Sequence, residues 1–437
     1  MNMQRASTLR RRILAREAHV AVVGQGYVGL SLACAAAEAG FAVRGIDVDA
    51  NRIGALAAGE LCVPGVDDGT FQRGLASGRL RFATDGEALA ASDVICICVP
   101  TPVRDHTPDL SYVEQACHDV AKHLTGGRLV ILESTTYPGT TSELVGPLLE
   151  TSGQRAGRDF LLAYSPERID PGNQEFQFAN TPRIVGGTTA EATSAAALFH
   201  EQMVEKVVTV SSAKAAELAK LLENTFRHVN IALVNEMAML CHEMGIDVWE
   251  VIAAAATKPF GFMAFTPGPG VGGHCIPLDP TYLTWQVRRD AGRQFRILEQ
   301  AQDVNSQMPG WVAARIGEAL NEHTKPLKGA RVLVLGVAYK PDVGDIRESP
   351  SLRVMSALHR RGVKLTFHDP FVEVVAVGGR RLARTELTPR AVAAADLVAL
   401  LTPHSTYDLE WLARTAKLVF DARNAFGPHA YPNVVSL

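Results

Sequence analysis

Residues 19–47, HVAVVGQGYVGLSLACAAAEAGFAVRGID, decide the fold of this chain. They hold an apolar run over 19–24, a glycine-rich turn, and an alanine-rich stretch that predicts a helix over 30–39. Gly40 is suited to end that helix, and a second apolar run stops at Asp47. Strand, turn, helix and strand in this order predict a β-α-β unit of a parallel sheet.

The turn of this unit has the spacing G-x-G-x-x-G at Gly24, Gly26 and Gly29. The first glycine permits a tight turn, the second lets the backbone approach a pyrophosphate at the helix N-terminus, and the third allows close packing. Asp47, 18 residues after Gly29, can accept hydrogen bonds from a ribose diol and would repel a 2′-phosphate. The sequence therefore predicts a dinucleotide site that prefers NAD to NADP. Arg52 either lies against the adenine or ribose or is a solvated arginine at a helix start.

The same alternation of apolar runs and helical stretches continues outward from this unit. Further strands of a first sheet are predicted over 93–99, 128–134 and 183–187, and those of a second sheet over 331–339, 364–370, 396–404 and 417–426. Between the two sheets, residues 211–244 contain neither Pro nor Gly and predict one helix about 50 Å long. The predicted fold is α/β, with two Rossmann-like, doubly wound parallel-sheet domains joined by a long central helix.

Composition limits the classes of function. The 437 residues suggest about three domain-sized units, and 47% hydrophobic with 20% charged residues is typical of a globular protein rather than a disordered one. With 43 Lys and Arg against 46 Asp and Glu, no global charge attracts nucleic acid or an anionic membrane. No apolar run is long enough to span a bilayer.

Residues 1–17 are basic, and no apolar region follows them. We expect them to form a frayed or helical arm.

The cysteines indicate a reducing compartment. There are seven, an odd number, and none forms a C-x-x-C pair, which argues against a disulfide framework or a structural zinc site. We therefore expect a cytoplasmic location. No H-E-x-x-H occurs and His274 lacks ligand spacing, so no metal site is expected.

Two loops that follow predicted strands carry further candidates. In Val99-Pro100-Thr101-Pro102 the two prolines would stiffen a loop above a nicotinamide, although a structural strand end explains them equally. Ser134-Thr135-Thr136 places small hydroxyls where they could position water or substrate.

Cys275 differs from the other cysteines in its surroundings. It follows the glycine-rich segment 268–273, whose backbone N–H groups can converge on an oxyanion, and it precedes Asp279. Cys96 and Cys98, by contrast, lie in an apolar strand, as core cysteines do. Lys220 and Asn224 are four residues apart on the predicted long helix, so they share a face, either a functional one or a solvated stripe.

These features together resemble the UDP-glucose/GDP-mannose dehydrogenase family, from about His19 to Asn424. The motifs that carry the resemblance are GQGYVG (24–29), VPTP (99–102), ESTTYPGTT (133–141), YSPERIDPGN (164–173), ELAKLLENTFRHVNIALVNE (217–236), PGPGVGGHCIPLDP (267–280), GVAYKPDVGDIRESP (336–350) and FDARNAF (420–426). The resemblance implies an NAD-dependent oxidation of a nucleotide sugar at C6, through four electrons, to the uronic acid. It also implies a homodimer formed through the long helix. The implied domains are an N-terminal arm (1–18), an NAD-binding domain (19–208), a central helical dimerisation domain (209–310) and a UDP-sugar-binding domain (311–437).

The resemblance assigns a role to each candidate residue. Cys275 would be the nucleophile that forms a thiohemiacetal and then a thioester, Lys220 would stabilise oxyanions, and Asn224 with Asp279 would hold the water or proton-relay network of the first oxidation. Glu167 would help to activate the water that hydrolyses the thioester, and Thr135 would orient that water. The implied NAD contacts are Gly24, Gly26, Tyr27, Val28, Gly29, Asp47, Arg52, Val99, Pro100, Thr101, Ser134, Thr135 and Arg347. The implied UDP-sugar contacts are Glu167, Arg168, Lys220, Asn224, Arg227, Gly272, Gly273, Lys340 and Arg423.

The sugar itself stays open at this point. SPERIDPGN and ENTFRHVNIALVNE look more like the branch with UDP-N-acetylglucosamine 6-dehydrogenases, but UDP-glucose is an equal contender. Pro259 stands where animal UDP-glucose enzymes have an arginine that reaches the adjacent site. Two further alternatives are a two-electron dehydrogenase of the β-hydroxyacid type, which would need neither Cys275 nor a second nucleotide domain, and a non-catalytic NAD-binding protein.

Overall fold

A computed structural model describes residues 3–63, 65–84, 86–104, 107–170, 173, 175–273, 275–428 and 431–437. His274 and residues 171 and 172, which belong to motifs quoted above, lie outside the described residues. The chain divides into two compact units. The first comprises Met1–Glu223 and Thr281–Arg289, and the second comprises Asn224–Pro280 and Asp290–Leu437.

The first unit is built on an eight-stranded sheet with the order β10-β9-β8-β7-β4-β1-β2-β3. Its strands are β1 (His19–Val23), β2 (Ala42–Ile46), β3 (Leu80–Ala83), β4 (Val94–Ile97), β7 (Leu129–Leu132), β8 (Leu161–Tyr164), β9 (Arg183–Gly187) and β10 (Val207–Thr209), while β5 (Val103–Arg104) and β6 (Thr107–Pro108) form a separate hairpin. Neighbouring strands of the sheet are parallel except β8 and β9. The order reverses between β1 and β4, which is where an open α/β sheet binds its ligand.

Helices cover both faces of this sheet. They are α1 (Met3–Leu14), α2 (Tyr27–Glu38), α3 (Ala50–Ala57), α4 (Asp68–Ala76), α5 (Glu87–Ala90), α6 (Ser111–His123), α7 (Gly146–Glu150) and α8 (Ala190–His200), with a π-helical turn at Thr141–Val145. Val20 and Val22 of β1 pack in one hydrophobic cluster and Ala21 in another, so alternate side chains of the strand are buried on opposite faces. This double burial explains why the strands read as continuous apolar runs.

The second unit holds a five-stranded parallel sheet with the order β12-β11-β15-β16-β17. Its strands are β11 (Arg331–Leu335), β12 (Lys364–His368), β15 (Leu397–Leu400), β16 (Val419–Asp421) and β17 (Val434–Ser436), and β13 (Val374–Val377) pairs antiparallel with β14 (Arg380–Ala383). The helices that complete the fold are α9 (Ala213–Met244), α10 (Val248–Ala256), α11 (Asp279–Ala291), α12 (Arg296–Glu322), α13 (Pro350–Arg360), α14 (Pro389–Ala394) and α15 (Leu409–Thr415). The switch point here lies between β11 and β15.

The predicted fold class is confirmed, with corrections in detail. Each predicted strand contains an observed one, and the long helix begins at Ala213 rather than Ser211. Helix α2 begins three residues before the predicted start, at Tyr27. The arm is helical, because Leu9 and Ile13 of α1 are buried in the core and Arg12 forms an ion pair with Asp93. No helix in the described part of the chain is long and apolar enough to cross a membrane.

Candidate active site

In the glycine turn after β1, two of the three glycines have no room for a side chain, and the third has. Gly24 has a φ of 92°, and a Cβ there would lie 2.5 Å from the Cys98 carbonyl oxygen. A Cβ on Gly29 would lie 1.8 Å from the Gly24 carbonyl oxygen. Gly26 directly precedes α2, and apart from its chain neighbours no heavy atom of the described residues lies within 4 Å of where its Cβ would be. The fold therefore needs Gly24 and Gly29, whereas the space at Gly26 suits a pyrophosphate at the helix N-terminus.

Asp47 follows β2 with its carboxylate held in place. It accepts hydrogen bonds from the backbone N–H of Gln25 (2.7 Å) and of Asp49 (2.9 Å). The Arg52 guanidinium also donates to it (3.0 Å) and lies 3.6 Å from Asp49. Arg52 is thus an ion-pair partner of Asp47, a contact that the sequence did not predict. Tyr27 and Val28, on the first turn of α2, are partly buried beside this loop.

The loops after β4 and β7 are fastened to each other and to α11. The Ser134 hydroxyl donates to the Val99 carbonyl oxygen (2.7 Å), and the Tyr282 hydroxyl of α11 donates to the Thr101 carbonyl oxygen (2.6 Å). Pro100 between them is exposed, and Thr135 is partly exposed. The hydroxyl of Ser134 is therefore already used to join two loops, and Thr135 is the more accessible hydroxyl of the pair.

Glu217, on α9, holds the segment that follows these hydroxyls. Its buried carboxylate accepts hydrogen bonds from the backbone N–H of Gly139 (2.6 Å) and from both the N–H (2.8 Å) and the hydroxyl (2.6 Å) of Thr141. Burial raises the pKa of Glu217, and these hydrogen bonds oppose that rise. Because Thr141 begins the π-helical turn, the carboxylate acts as a cap on that turn.

Glu167, Arg168 and Lys220 also lie in the first unit. Glu167 and Lys220 are each 8% exposed. Arg168 forms an ion pair with Glu223 (2.8 Å) and donates to the Pro182 carbonyl oxygen (2.6 Å). Arg168 was predicted as a substrate contact. In the structure its guanidinium contacts residues of the first unit and connects its own loop to α9.

In the second unit the structure brings Asn224 and Asp279 together. The Asn224 amide donates to the Asp279 carboxylate, and both side chains are buried. Asp279 is the first residue of α11, where the helix dipole favours a negative charge. Its backbone N–H donates to the Cys275 carbonyl oxygen (2.8 Å). Cys275 itself is exposed.

The glycines before Cys275 allow close packing on the loop that follows β11. A Cβ on Gly272 would lie 2.7 Å from Pro350, and one on Gly273, whose φ is 89°, would lie 2.9 Å from the Tyr339 ring. Gly273 N–H donates to the Arg347 carbonyl oxygen (3.2 Å). These glycines therefore bring the cysteine loop against residues 339–350.

Gly268, in the same loop, lies against Arg423. A Cβ at Gly268 would lie 2.4 Å from an Arg423 nitrogen. Burial lowers the pKa of Arg423 to about 10, so it remains charged at neutral pH. The loop that carries Arg423 is held by the buried Asp421 carboxylate, which accepts from the N–H groups of Arg423 and Phe426 (2.9 Å each). The partly buried Arg423 guanidinium donates to the Leu401 carbonyl oxygen (3.3 Å) and offers a positive charge that suits an anionic ligand.

The remaining candidates of the second unit differ in accessibility. Arg347 is exposed and its guanidinium is held by the Asp345 carboxylate (2.6 Å at closest), a contact that raises its pKa. Lys340 is partly exposed in the loop after β11, and Arg227 is exposed on α9. The Asp369 carboxylate, at the end of β12, accepts from the N–H groups of Val337 (2.8 Å) and Ala338 (3.2 Å) and so shapes that same loop.

Sequence reasoning missed the residues that hold the candidate loops. Glu217, Asp369 and Asp421 are fully buried carboxylates, and Arg183 is a nearly fully buried cation. Two of these four residues lie within quoted motifs. Their burial was not predicted, because a charged residue next to a loop is ordinarily exposed to solvent. The one available signal was a charged residue directly at the end of an apolar strand, as in Asp421 and Arg183.

Comparison with known proteins identifies the family. Profiles of the UDP-glucose/GDP-mannose dehydrogenase family match residues 18–204 with its NAD binding domain, 214–307 with its central domain and 333–428 with its UDP binding domain. The chain belongs to this family. As the motifs predicted, it is an NAD-dependent nucleotide-sugar dehydrogenase, an oxidoreductase that acts on a CH–OH group. The alternative of a non-catalytic NAD-binding protein is therefore wrong.

The relatives of this dehydrogenase share nearly its whole length. A UDP-N-acetyl-D-mannosamine dehydrogenase from Pyrococcus horikoshii is 35% identical over 412 residues, covering 93% of this chain and 95% of the relative. An NDP-N-acetyl-D-galactosaminuronic acid dehydrogenase from Ralstonia nicotianae is 34% identical over 418 residues, with coverages of 92% and 95%. A solved structure of the UDP-D-ManNAc dehydrogenase from Pyrococcus horikoshii superposes with a TM-score of 0.85 at 35% identity, covering 96% of this chain and 98% of the other.

Proposed function

We propose that this dehydrogenase oxidises the C6 hydroxyl of a UDP-N-acetylhexosamine to the carboxylate, using two NAD per sugar, with UDP-N-acetylmannosamine as the first candidate. The sugar class is supported by the relatives, whose names specify N-acetylated amino sugars. The four-electron reaction is supported above all by Cys275, an exposed thiol four residues before the buried Asp279–Asn224 pair. A two-electron dehydrogenase has no use for that thiol.

In the first oxidation, the chain's own residues manage the proton. The turn at Gly24, Gly26 and Gly29 and the Asp47 carboxylate would hold NAD, which would supply the acceptor for the hydride lost from C6. Asp279 and Asn224 hold the water that takes the proton from the C6 hydroxyl, so that the alcohol loses one hydride and one proton and becomes an aldehyde. The negative charge on Asp279 suits this role because it stabilises the positive charge that the water gains with the proton.

In the second oxidation, Cys275 keeps the aldehyde on the enzyme. Its thiolate attacks C6 to form a thiohemiacetal, and loss of a second hydride converts this to a thioester. The buried Lys220 side chain stabilises the oxyanions of these steps. Water, activated by Glu167 and oriented by Thr135, then attacks the thioester carbon, the C–S bond breaks, and the thiolate is regenerated with the uronic acid.

Cationic side chains of the second unit bind the UDP moiety. Arg423 and Lys340 supply charge to the diphosphate, which carries about two negative charges. Gly272 and Gly273 let the backbone approach the sugar, with Arg227 as a further sugar contact. Arg347, steadied by Asp345, is proposed to reach the NAD pyrophosphate.

The stoichiometry of NADH formation tests this function. Limiting UDP-N-acetylmannosamine, UDP-N-acetylglucosamine and UDP-glucose are each supplied with excess NAD, and NADH is followed by absorbance. We expect two NADH per sugar from an N-acetylhexosamine and far slower turnover of UDP-glucose. Two NADH from UDP-glucose alone would overturn the sugar class, and one NADH per sugar would overturn the four-electron reaction and favour the two-electron alternative.

We also propose that the enzyme is a homodimer formed through α9. An exposed apolar stripe runs along one face of this helix at the spacings of a packing seam, and it comprises Phe226 (46% exposed), Leu233 (59%), Met237 (36%), Leu240 (45%) and Met244 (61%). A contiguous exposed apolar face indicates a protein interface, and a second copy supplies a self-complementary one.

Analytical ultracentrifugation tests the dimer. We expect a mass about twice the 46.9 kDa chain, reduced to the chain mass in Leu233→Glu because a charge would be buried at the seam. Glu236→Gln, at an exposed position of the same helix, serves as the control and should stay dimeric. A monomeric wild type, or a dimeric Leu233→Glu, would contradict the proposed interface.

A further inference from the structure

The first residue of β9, Arg183, is a buried guanidinium that contacts two carboxylates. One nitrogen donates to Glu133 (2.6 Å) and the other to Glu167 (2.7 Å). The guanidinium also lies over the Phe178 ring, 4.8 Å from its centre. Arg183 is 3% exposed, so its charge is balanced inside the protein and not by water.

The contacts of Glu167 fix its carboxylate almost completely. One oxygen accepts from Arg183, and the other accepts from the backbone N–H groups of Arg168 (2.6 Å) and Ile169 (2.8 Å). A carboxylate has about four lone-pair positions. With three donors from the described residues in place, one position remains for a water molecule, and the fixed carboxylate gives that water a defined direction.

Glu133 anchors the opposite side of Arg183. It is buried, and His200 of α8 lies 3.2 Å from its second oxygen. Burial opposes the charge on Glu133, but the attraction of Arg183 and His200 outweighs it and lowers the pKa of Glu133. Burial also opposes the charge on Arg183, and the two carboxylates outweigh it and raise the pKa of Arg183. Glu133 and Arg183 are therefore both ionised at neutral pH.

This arrangement connects two loops of the proposed hydrolysis. Glu133 is two residues before Thr135 at the end of β7, and Glu167 follows the neighbouring strand β8. The guanidinium bridges the two, because its planar fork reaches both carboxylates at once. Arg183 thus links the strand end that carries the proposed water-orienting hydroxyl to the carboxylate proposed to activate that water.

We propose that Arg183 is the positioning residue for thioester hydrolysis, aligning Glu167 with Thr135 through the Glu133–Arg183–Glu167 bridge. The inference rests on the proposed function. In the step concerned, the water oxygen bonds to the thioester carbon and the water proton passes to the remaining position of Glu167. The C–S bond breaks and its electron pair returns to the Cys275 sulfur. Formation of the thioester precedes this step and does not use the bridge.

Arg183→Lys tests the proposal, because an ammonium keeps the charge but cannot span both carboxylates. Rapid mixing with NAD and the UDP-sugar that turns over gives the NADH burst, and intact-protein mass spectrometry after a chase gives the decay of the sugar adduct. We expect adduct decay to slow roughly 10- to 100-fold, the range for a misplaced catalytic group, with a burst rate like that of the wild type. Arg158→Lys, an exposed arginine in an ion pair of the same unit, should match the wild type in both.

A double variant separates positioning from general damage. Glu167→Gln should slow adduct decay, and if Arg183 acts through Glu167, Arg183→Lys/Glu167→Gln should be no slower than Glu167→Gln alone. A burst slowed as much as decay, unchanged decay, or additive losses in the double variant would overturn the positioning role. If Glu167→Gln slows decay and Arg183→Lys does not, only this inference fails. If the wild type forms no adduct, the proposed function fails and the inference with it.

Discussion

Cys275→Ser is expected to lower the rate of uronic acid formation by roughly 10³-fold or more, the range for loss of a catalytic nucleophile. A serine hydroxyl is not ionised at neutral pH and therefore attacks an aldehyde far more slowly than a thiolate does. Steady-state NADH formation measures the loss, and mass spectrometry should find no sugar adduct on the variant.

Cys62→Ser is the matched control for this substitution. Cys62 is the other exposed cysteine of the chain and has no proposed role, so its replacement should leave turnover unchanged. If Cys275→Ser kept more than a tenth of the activity while still forming two NADH per sugar, the covalent route through Cys275 would be excluded.

The structure places a positive charge where it would favour the thiolate that we propose at Cys275. The charge of Arg347 interacts with Cys275, and this interaction adds to the larger effect of the Asp345 hydrogen bonds in raising the pKa of Arg347. Since such an interaction is mutual, the guanidinium also favours the thiolate. The buried Cys96 shows the contrasting case, because burial raises the pKa of its thiol well above the ordinary value.

Most of the central strands of the fold could be predicted from sequence because they are buried on both faces. β1, β4 and β11 read as uninterrupted apolar runs, and the glycine turn marks the end of the first of them. Among the strands of the two large sheets, the prediction missed β3, β10 and β17, which lie at sheet edges, where a short run is stabilised by pairing with a neighbour rather than by its own propensity. It also missed β8, an interior strand that is buried along its whole length, because so short an apolar run cannot be told from a buried helical segment by pattern alone.

The sequence proposed candidate site residues, but it could not predict the partners that the structure gives them. Motifs located Glu167, yet its bond to Arg183 joins positions 16 residues apart, and the bond from Arg183 to Glu133 spans 50. Likewise Glu217 holds Thr141 across 76 residues. Local pattern carries no information on such contacts, since they arise only when neighbouring strands and helices bring their ends together.

Asp279→Asn is expected to lower kcat by about 10²- to 10⁴-fold, the range for loss of a group that manages a proton. The substitution keeps the shape of the side chain and removes the charge that the Asn224 amide and the start of α11 stabilise. The introduced amide would also point an N–H donor at the N–H donor of Asn224, unless one of the two amides rotates to present its oxygen. Affinity for the UDP-sugar should change little, because the diphosphate contacts lie elsewhere in the proposed site.

An isotope effect distinguishes this loss from a general disturbance. If Asp279 serves the first oxidation, the variant should be limited by hydride loss from C6, so substrate deuterated at C6 should give a larger isotope effect on kcat than it gives with the wild type. Asp290→Asn, an exposed carboxylate near the other end of α11, is the control and should keep the wild-type values. Two results together would show that Asp279 has no role in the first oxidation. They are a kcat for Asp279→Asn within about threefold of the wild type, a loss well below the range for a proton-transfer group, and an unchanged isotope effect. The proton of the C6 hydroxyl would then have to leave through another group.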